Sequence, residues 1–302
     1  MTPSSRRRRG PPRILVVGDI MTDVIARPRG PLAKGSDRRA DIRFAPGGSG
    51  ANQAAWLAAF GIAVDLVARV GADDIAAEAA RLEGAGVTPH LAADSERPTG
   101  RLIALIDPDG ERSFFTDRGA NEALEAADIP DAVVEGAAHI HLSGYAFFAP
   151  SSRAAALDLM RRARETPVSV DPASAEFLRE VSAQKFLGWT NGAAILFPNE
   201  EEAAVLAGSD EHETQCARLA ARFPLVVVKR GSAGCEAAAG EQRWRIAAPA
   251  IAPVDTTGAG DAFIAGFLAA RLLGGTIKTG LERAVAAGAR AAMTVGARPP
   301  RL

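Results

Sequence analysis

The chain has 302 residues, of which 47% are hydrophobic, and its formal net charge is −1. This charge gives no electrostatic reason to expect nucleic acid or a membrane surface as a partner, and no apolar run reaches the ~18 residues of a membrane span. Two cysteines, Cys216 and Cys235, are too few for a disulfide framework, so we expect a cytoplasmic protein. Length and composition are compatible with a single domain over 13–302, after a disordered basic tail at 1–12 that holds Arg6–Arg9.

Apolar runs alternate with amphipathic stretches along the chain, which predicts a mostly parallel sheet flanked by helices. The predicted strands are Ile14–Val17, Val64–Val70, Ala138–Leu142, Val168–Val170, Ala194–Phe197 and Leu225–Lys229. Helices are predicted near 51–60, 74–84, 151–165, 200–207, 213–222, 259–273 and 279–294. Residues at about 22–46 and 99–117 break this alternation and are predicted to be extended, with turn signals at Pro28–Pro31 and Asp107–Gly110.

The first of two glycine-rich turns lies at 47–55 and reads Gly-Gly-Ser-Gly-Ala-Asn-Gln-Ala-Ala. Adjacent glycines before a helix let main-chain groups lie against a polyhydroxylated ligand. Asn52 adds an amide that both donates and accepts hydrogen bonds. A loop that only turns the chain is the alternative interpretation.

The second turn lies at 255–260 and runs directly into a helix with Asp261 in its first turn. The glycines Gly258 and Gly260 let the backbone approach a ligand, and the N–H groups at a helix start favour an anion. An aspartate here either complements the helix dipole or removes a proton from a hydroxyl while a phosphoryl group occupies the anion site. The presence of both turns favours the second interpretation.

The segments GGSGANQAAWLAAFG (47–61) and DTTGAGDAFIAGF (255–267) resemble the two signatures of the ribokinase-like PfkB family of carbohydrate kinases. Further matching segments follow in the family's order between about 13 and 299: Gly18–Asp23, Thr99–Gly100, Asp109–Arg112, the Asn-x-x-Glu of Asn199–Glu202, and Val228–Gly231. The resemblance implies a three-layer α/β/α fold with a small β-sheet lid formed by 22–46 and 99–117. It also implies ATP and Mg²⁺ as cofactors and a homodimer formed through the lid.

The resemblance also implies a role for individual residues. For catalysis these are Asp261 as general base and Gly258, Ala259 and Gly260 as the anion hole. For the sugar they are Asp23, Gly47, Gly48, Asn52 and Asp261. For the nucleotide they are Asn199, Glu202, Lys229, Gly231, Thr256, Gly258 and Gly260, with Glu202 holding Mg²⁺ through water. Asp255 and Thr257 match positions that hold a monovalent cation such as K⁺, and an Asx-type turn is the open alternative.

Three departures from ribokinases bear on the substrate: Ser49 replaces a lysine, Met21 an asparagine, and Ser143 stands near the position of a glutamate. A methionine offers an apolar wall instead of a hydrogen bond, so D-ribose is predicted to be a poor substrate. Ketoses, keto-deoxy sugar acids and nucleosides stay open. The sequence therefore predicts an ATP-dependent kinase for a primary hydroxyl of a small sugar. A nucleoside kinase and a non-catalytic sugar- or nucleotide-binding regulator on the same fold are the alternatives.

Overall fold

A computed structural model describes residues 12–31, 35–106 and 112–300. The predicted Arg6–Arg9 tail and the Asp107–Gly110 turn lie outside these residues. The strands are, in chain order, β1 Arg13–Val17, β2 Met21–Pro28, β3 Ala40–Gly47, β4 Ala63–Gly71, β5 Val87–Asp94, β6 Gly100–Ile106, β7 Arg112–Asp117, β8 His139–Ser143, β9 Val168–Asp171, β10 Ile195–Leu196, β11 Leu225–Lys229, β12 Cys235–Ala239 and β13 Gln242–Ile246.

The helices lie mostly between the strands of the main sheet. They are α1 Ser49–Ala59, α2 Ile75–Glu83, α3 Asp131–Gly136, α4 Pro150–Arg162, α5 Ala175–Val181, α6 Ala183–Trp189, α7 Glu200–Ala207, α8 His212–Ala220, α9 Ala259–Leu272 and α10 Ile277–Ala292. Within the described ranges, no helix is long and apolar enough to cross a membrane.

The main sheet has nine strands in the described part of the chain, in the order β13-β12-β11-β10-β9-β8-β1-β4-β5. All adjacent pairs from β5 to β11 are parallel, and β12 and β13 form an antiparallel hairpin at one edge. The chain proceeds outward from β1 through β4 to β5 and then returns to β8 on the other side of β1. Such a reversal opens a crevice at the carboxyl ends of the two strands, where ligands bind in open α/β sheets.

Alternate residues of β1 enter two separate hydrophobic cores. Ile14 and Val16 pack on the side of α1, α9 and α10, whereas Leu15 and Val17 pack on the opposite side with α4 and α7. Since both faces of the central strand are covered by helices, the fold is the predicted three-layer α/β/α arrangement. In α9, Phe263 and Phe267 belong to the first core, as their four-residue spacing predicts.

The lid is a separate sheet of four strands in the order β3-β2-β6-β7. Strand β2 pairs antiparallel with β3 and parallel with β6, and β6 pairs antiparallel with β7. These strands fall within or one residue beyond the two stretches predicted to be extended. One face of the lid contains Asp23 and turns toward the main body.

Candidate active site

The Asp261 carboxylate lies where the two glycine-rich turns meet. Ser49 Oγ donates to its Oδ1 at 2.6 Å, and the Asn52 side-chain amide donates to its Oδ2 at 3.0 Å. Burial raises the pKa of Asp261 to about 7, although the hydrogen bonds from Ser49 and Asn52 act in the opposite direction. A carboxyl with this pKa is suited to accept a proton near neutral pH.

Gln53 connects Asp261 to a second buried carboxylate, that of Asp171. Its Nε2 lies 3.1 Å from Asp261 Oδ1 and 3.2 Å from Asp171 Oδ2. Asp171 ends β9 and accepts a hydrogen bond from Lys229 Nζ at 2.8 Å. Burial alone would lower the pKa of Lys229, but the Asp171 and Glu202 carboxylates raise it above its ordinary value. The lysine is therefore a cation fixed beside the carboxylates.

The start of α9 supplies a cradle of backbone N–H groups. Gly258 caps the helix with φ of 73°, a left-handed conformation that favours glycine, and a Cβ there would lie 2.6 Å from Ala297 Cα. The N–H groups at the first positions of a helix have no intrahelical partner, although that of Ala259 donates to Thr256 O at 3.2 Å. Lys229 Nζ lies against the same cradle, since it would be 3.8 Å from a Cβ at Gly260.

Asn199 and Glu202 form a reciprocal capping box at the start of α7. The backbone N–H and the side-chain amide of Asn199 each donate to a Glu202 carboxylate oxygen at 2.8 Å. Burial raises the pKa of Glu202 to about 7 despite the neighbouring Lys229 cation. An isolated β-bridge pairs Asn199 with Lys229. It places the Asn199–Glu202 capping box beside Lys229 and Asp171.

On the opposite side of Asn52, Asp23 and Gly47 lie against each other. A Cβ at Gly47 would be 2.1 Å from Asp23 Oδ1, so only glycine leaves room for this carboxylate. Burial, followed by the nearby Asp19 charge, raises the pKa of Asp23 to about 6. Arg298 donates to Gly47 O at 3.2 Å and to Asn52 Oδ1 at 3.4 Å. This side of the site can pair several hydroxyl groups.

Asp19 is buried directly after β1 and accepts from the N–H groups of Ser49 and Gly50 at 3.2 and 3.1 Å. Arg118 Nη2 lies 3.0 Å from it. Burial would raise the pKa of Asp19, but the Arg118 guanidinium and the Gly50 N–H outweigh burial and hold it below its ordinary value. Asp19 is therefore a permanent anion, and its hydrogen bonds fix the start of α1 and with it Asn52.

Asp255 shapes the loop before α9. Its Oδ1 accepts from the Thr257 N–H at 3.0 Å, which is the Asx-type turn, and its Oδ2 accepts from the Gly296 N–H at 3.1 Å. Two other residues expected at the nucleotide site, Thr256 and Gly231, lie on exposed loops.

Residues 11–302 match the model of the pfkB family of carbohydrate kinases. The chain belongs to the PfkB family. It is 35% identical to an ATP-dependent ribose-1-phosphate kinase of Halopiger xanaduensis over 95% of this chain and 94% of that one. It is 32% identical to a Klebsiella pneumoniae fructokinase over 85% of this chain and 83% of that one.

The solved structures agree with the family assignment. A probable sugar kinase from Rhizobium etli superposes with a TM-score of 0.87 at 26% identity, covering 96% of both chains. The predicted ribokinase-like fold and lid are confirmed. This PfkB protein is an ATP-dependent carbohydrate kinase, as the sequence predicts.

Four residues of this PfkB site were not singled out from the sequence: Asp19, Gln53, Asp171 and Arg298. Gln53 follows Asn52 in the first glycine motif, and Asp19 and Asp171 follow or end parallel strands, where ligands bind in open α/β sheets. Arg298 has no comparable local signal.

Proposed function

We propose that this PfkB kinase transfers the γ-phosphoryl group of ATP to a primary hydroxyl of a small sugar, with Asp261 as the general base. The observation that carries the proposal is the Asp261 carboxylate itself. It has a pKa of about 7, contacts Ser49 and Asn52, and stands in the first turn of α9 beside the glycine cradle.

The proposed step uses residues of this site together with a bound sugar and the ATP–Mg²⁺ complex. The sugar hydroxyl gives its proton to Asp261 as its oxygen forms a bond to the γ-phosphorus. The bond between that phosphorus and the β,γ-bridging oxygen breaks, and ADP carries away the electron pair. The N–H groups at the start of α9 and the Lys229 ammonium stabilise the charge on the transferring group. Asp261 then returns its proton to water.

Asn199 and Glu202 suit a magnesium ion held through water. Among the described residues no cluster of three or more His, Cys, Asp or Glu side chains forms a direct metal site. Glu202 is buried, and its oxygens, each engaged by Asn199, retain lone pairs for water ligands. Mg²⁺ bound to the nucleotide phosphates would neutralise their charge and retain much of its own hydration. Asp171 and Lys229 set the local charge beside that position.

We also propose that Asp255 and Thr257 help to bind a monovalent cation near the anion cradle. The carboxylate of Asp255 already shapes the turn, and the same oxygens can be shared with a cation. Activity in K⁺ buffer should exceed activity in Na⁺ buffer. Equal rates would contradict the cation site and leave Asp255 with a structural role only.

A homodimer through the lid is a further part of this proposal. On the lid face opposite Asp23, the register aligns Phe44, Val24, Ile103 and Phe115 in one row across all four strands. Phe44 is 75% exposed and Phe115 is 63% exposed. A continuous apolar row of this kind is typical of a protein interface, and a second lid offers the same surface.

The test of the kinase proposal is ATP consumption with a panel of acceptors. The panel includes D-ribose, D-fructose, ribose 1-phosphate, 2-keto-3-deoxygluconate and adenosine, and phosphate transfer is checked by mass spectrometry of the product. Stoichiometric conversion of at least one sugar supports the proposal. Adenosine as the best acceptor favours the nucleoside kinase. Binding without transfer to any acceptor would favour a regulator.

A further inference from the structure

Arg298 places a partly buried cation at the sugar side of the site. Its guanidinium contacts a carbonyl oxygen of Gly47 and the amide oxygen of Asn52. No carboxylate of the described residues lies within ion-pair distance of it. Burial lowers the pKa of Arg298, as expected for a cation that has lost water. Because a guanidinium has more donors than these two contacts use, it can still bind an anion.

The lid contributes two more arginines on the face that meets the body. Arg27 and Arg43 line a cleft of about 120 Å³ together with Asp23 on the lid side and Asp255 on the body side. Arg43 is paired with Ile25, two residues along β2 from Asp23, whereas Arg27 is four residues along. At ~3.3 Å per residue these offsets are about 7 and 13 Å, so Arg43 lies nearer to Asp23 along the strand than Arg27 does.

Among the described residues, the carboxylates of the cleft form no ion pair with these arginines or with Arg298, although the Asp23 charge acts on Arg298 and raises its pKa against the effect of burial. Asp41 pairs with Arg29 at 3.0 Å, and Asp255 accepts two backbone N–H groups. Neither Arg27 nor Arg43 forms an ion pair with a described carboxylate. Arg27 and Arg43 therefore offer guanidinium groups on the lid side of the cleft, and Arg298 offers one beside Gly47 and Asn52.

Asn52 fixes where an anion would lie relative to the reacting hydroxyl. Its Nδ2 contacts Asp261 and its Oδ1 contacts Arg298, so the base and the arginine lie on opposite sides of one amide. A sugar whose hydroxyl faces Asp261 presents a different substituent to Arg298.

On the basis of the proposed kinase function, we infer that the sugar substrate carries an anionic group, a phosphate ester or a carboxylate, which Arg298 and Arg43 bind, with Arg27 at the outer end of the cleft. Guanidinium groups bind phosphate and carboxylate oxygens through paired N–H donors. Once bound, the anionic group of the substrate would also neutralise the charge of Arg298.

The first experiment measures kcat/KM for sugars that differ in charge. Ribose 1-phosphate and 2-keto-3-deoxygluconate supply the phosphate and carboxylate arms, and both retain a free primary hydroxyl. D-ribose and D-fructose are the neutral arms. Ribose 5-phosphate is a control that carries the charge but blocks the hydroxyl. We expect at least one anionic sugar to exceed the neutral sugars by at least 10-fold.

The second experiment uses Arg298→Gln and Arg43→Gln. The matched control is Arg283→Gln, which removes the charge of an exposed arginine on α10. Hydrogen bonds to charged groups are worth roughly 1.5–3 kcal/mol, which is about 10- to 150-fold in kcat/KM. We expect losses of this size for the best anionic sugar, and a loss for D-fructose that is at least about 5-fold smaller, because Arg298 also holds Gly47 and Asn52 in place. Calorimetry of the anionic sugar without ATP should show the same loss of affinity, and Arg283→Gln should show none.

The outcomes separate this inference from the kinase proposal. A wild-type preference for neutral sugars overturns the inference while the kinase proposal stands. Equal losses for neutral and anionic sugars in Arg298→Gln and Arg43→Gln also overturn it, because the arginines would then act on the transferring phosphoryl group or on the fold. No transfer to any acceptor refutes the kinase proposal itself.

Discussion

The main body and the lid organise their polar groups in opposite ways. Around Asp261, polar side chains already bind one another: Ser49, Asn52 and Gln53 contact Asp261, and Gln53 and Lys229 contact Asp171. On the lid, Arg43 and Phe44 are neighbouring exposed residues on opposite faces of the sheet. The body holds its groups in a fixed arrangement before substrate arrives, whereas the lid offers groups that substrate or a partner must satisfy.

This contrast separates chemistry from recognition. Changes in the body should affect turnover or unfolding, because its groups hold one another in place. Changes in the lid should affect substrate affinity or assembly and leave unfolding almost unchanged, because exposed side chains contribute little to it.

The largest expected effect is on turnover in Asp261→Asn. The amide retains the shape of the side chain but cannot accept the proton, so kcat should fall by at least ~10²-fold, as is typical for loss of a general base. The KM for the sugar should change little. Asp210→Asn, an exposed site between α7 and α8, is the control. Near-normal turnover of pure Asp261→Asn protein would remove Asp261 from the mechanism.

A large loss of stability is expected in Asp171→Asn. Breaking a buried ion pair by removing one partner costs roughly 3 kcal/mol or more of unfolding free energy, and Lys229 would lose its closest carboxylate. The double variant Asp171→Asn/Lys229→Met removes both charges and should cost less than the sum of the two single variants, measured by urea unfolding. Additive costs would mean that the two groups are not coupled.

The lid should control assembly. Phe115→Glu and Phe44→Glu place a charge on the outer apolar row and should convert a dimer to a monomer in sedimentation experiments, with a change in unfolding free energy below about 0.5 kcal/mol. The matched control is Phe114→Glu, the neighbouring residue of β7 on the inner face, which is 56% exposed. A wild-type monomer at micromolar concentration, or a dimer disrupted equally by Phe114→Glu, would contradict the outer-face interface.

The smallest expected effect is a shift in the pH profile. Folding raises the pKa of Asp261 to about 7, so the carboxyl is protonated below this pH and kcat/KM should rise with pH through about 7 and then level. Ser49→Ala removes a hydrogen bond that lowers this pKa, so the rise should move to higher pH. Ser232→Ala, at an exposed turn, is the control. An unmoved profile in Ser49→Ala would assign the rise to Glu202, whose pKa is also about 7.

The sequence predicted the features that depend on neighbouring residues. The glycine turns, the helix starts and the spacing of Phe263 and Phe267 are all local patterns, and the structure has α1 and α9 at those places. Strand β5 was missed because Pro89 argues against a strand, and proline is accommodated here because β5 lies at the edge of the sheet. Strand β12 was missed because Cys-Glu-Ala-Ala-Ala has no β-branched residue.

The part of the site that escaped prediction depends on contacts between distant segments. Gln53 and Asp171 are 118 residues apart, and their relation becomes visible only when α1 packs beside the end of β9. The role of Arg298 depends on the segment after α10 returning to Gly47. No pattern in Gly296–Pro300 indicates this return.

That returning segment also sets the order in which a working kinase is assembled during synthesis. Ala297 accepts a hydrogen bond from Trp56 and packs on Gly258, while Arg298 contacts Gly47, 251 positions earlier. At the ~5–20 residues per second of translation, Arg298 is synthesised roughly 10–50 s after Gly47. A nascent chain that has already formed β1, α1 and the lid therefore still lacks the residues that complete the sugar site. We therefore expect competence for substrate only after the segment that contains Ala297 and Arg298 has been synthesised.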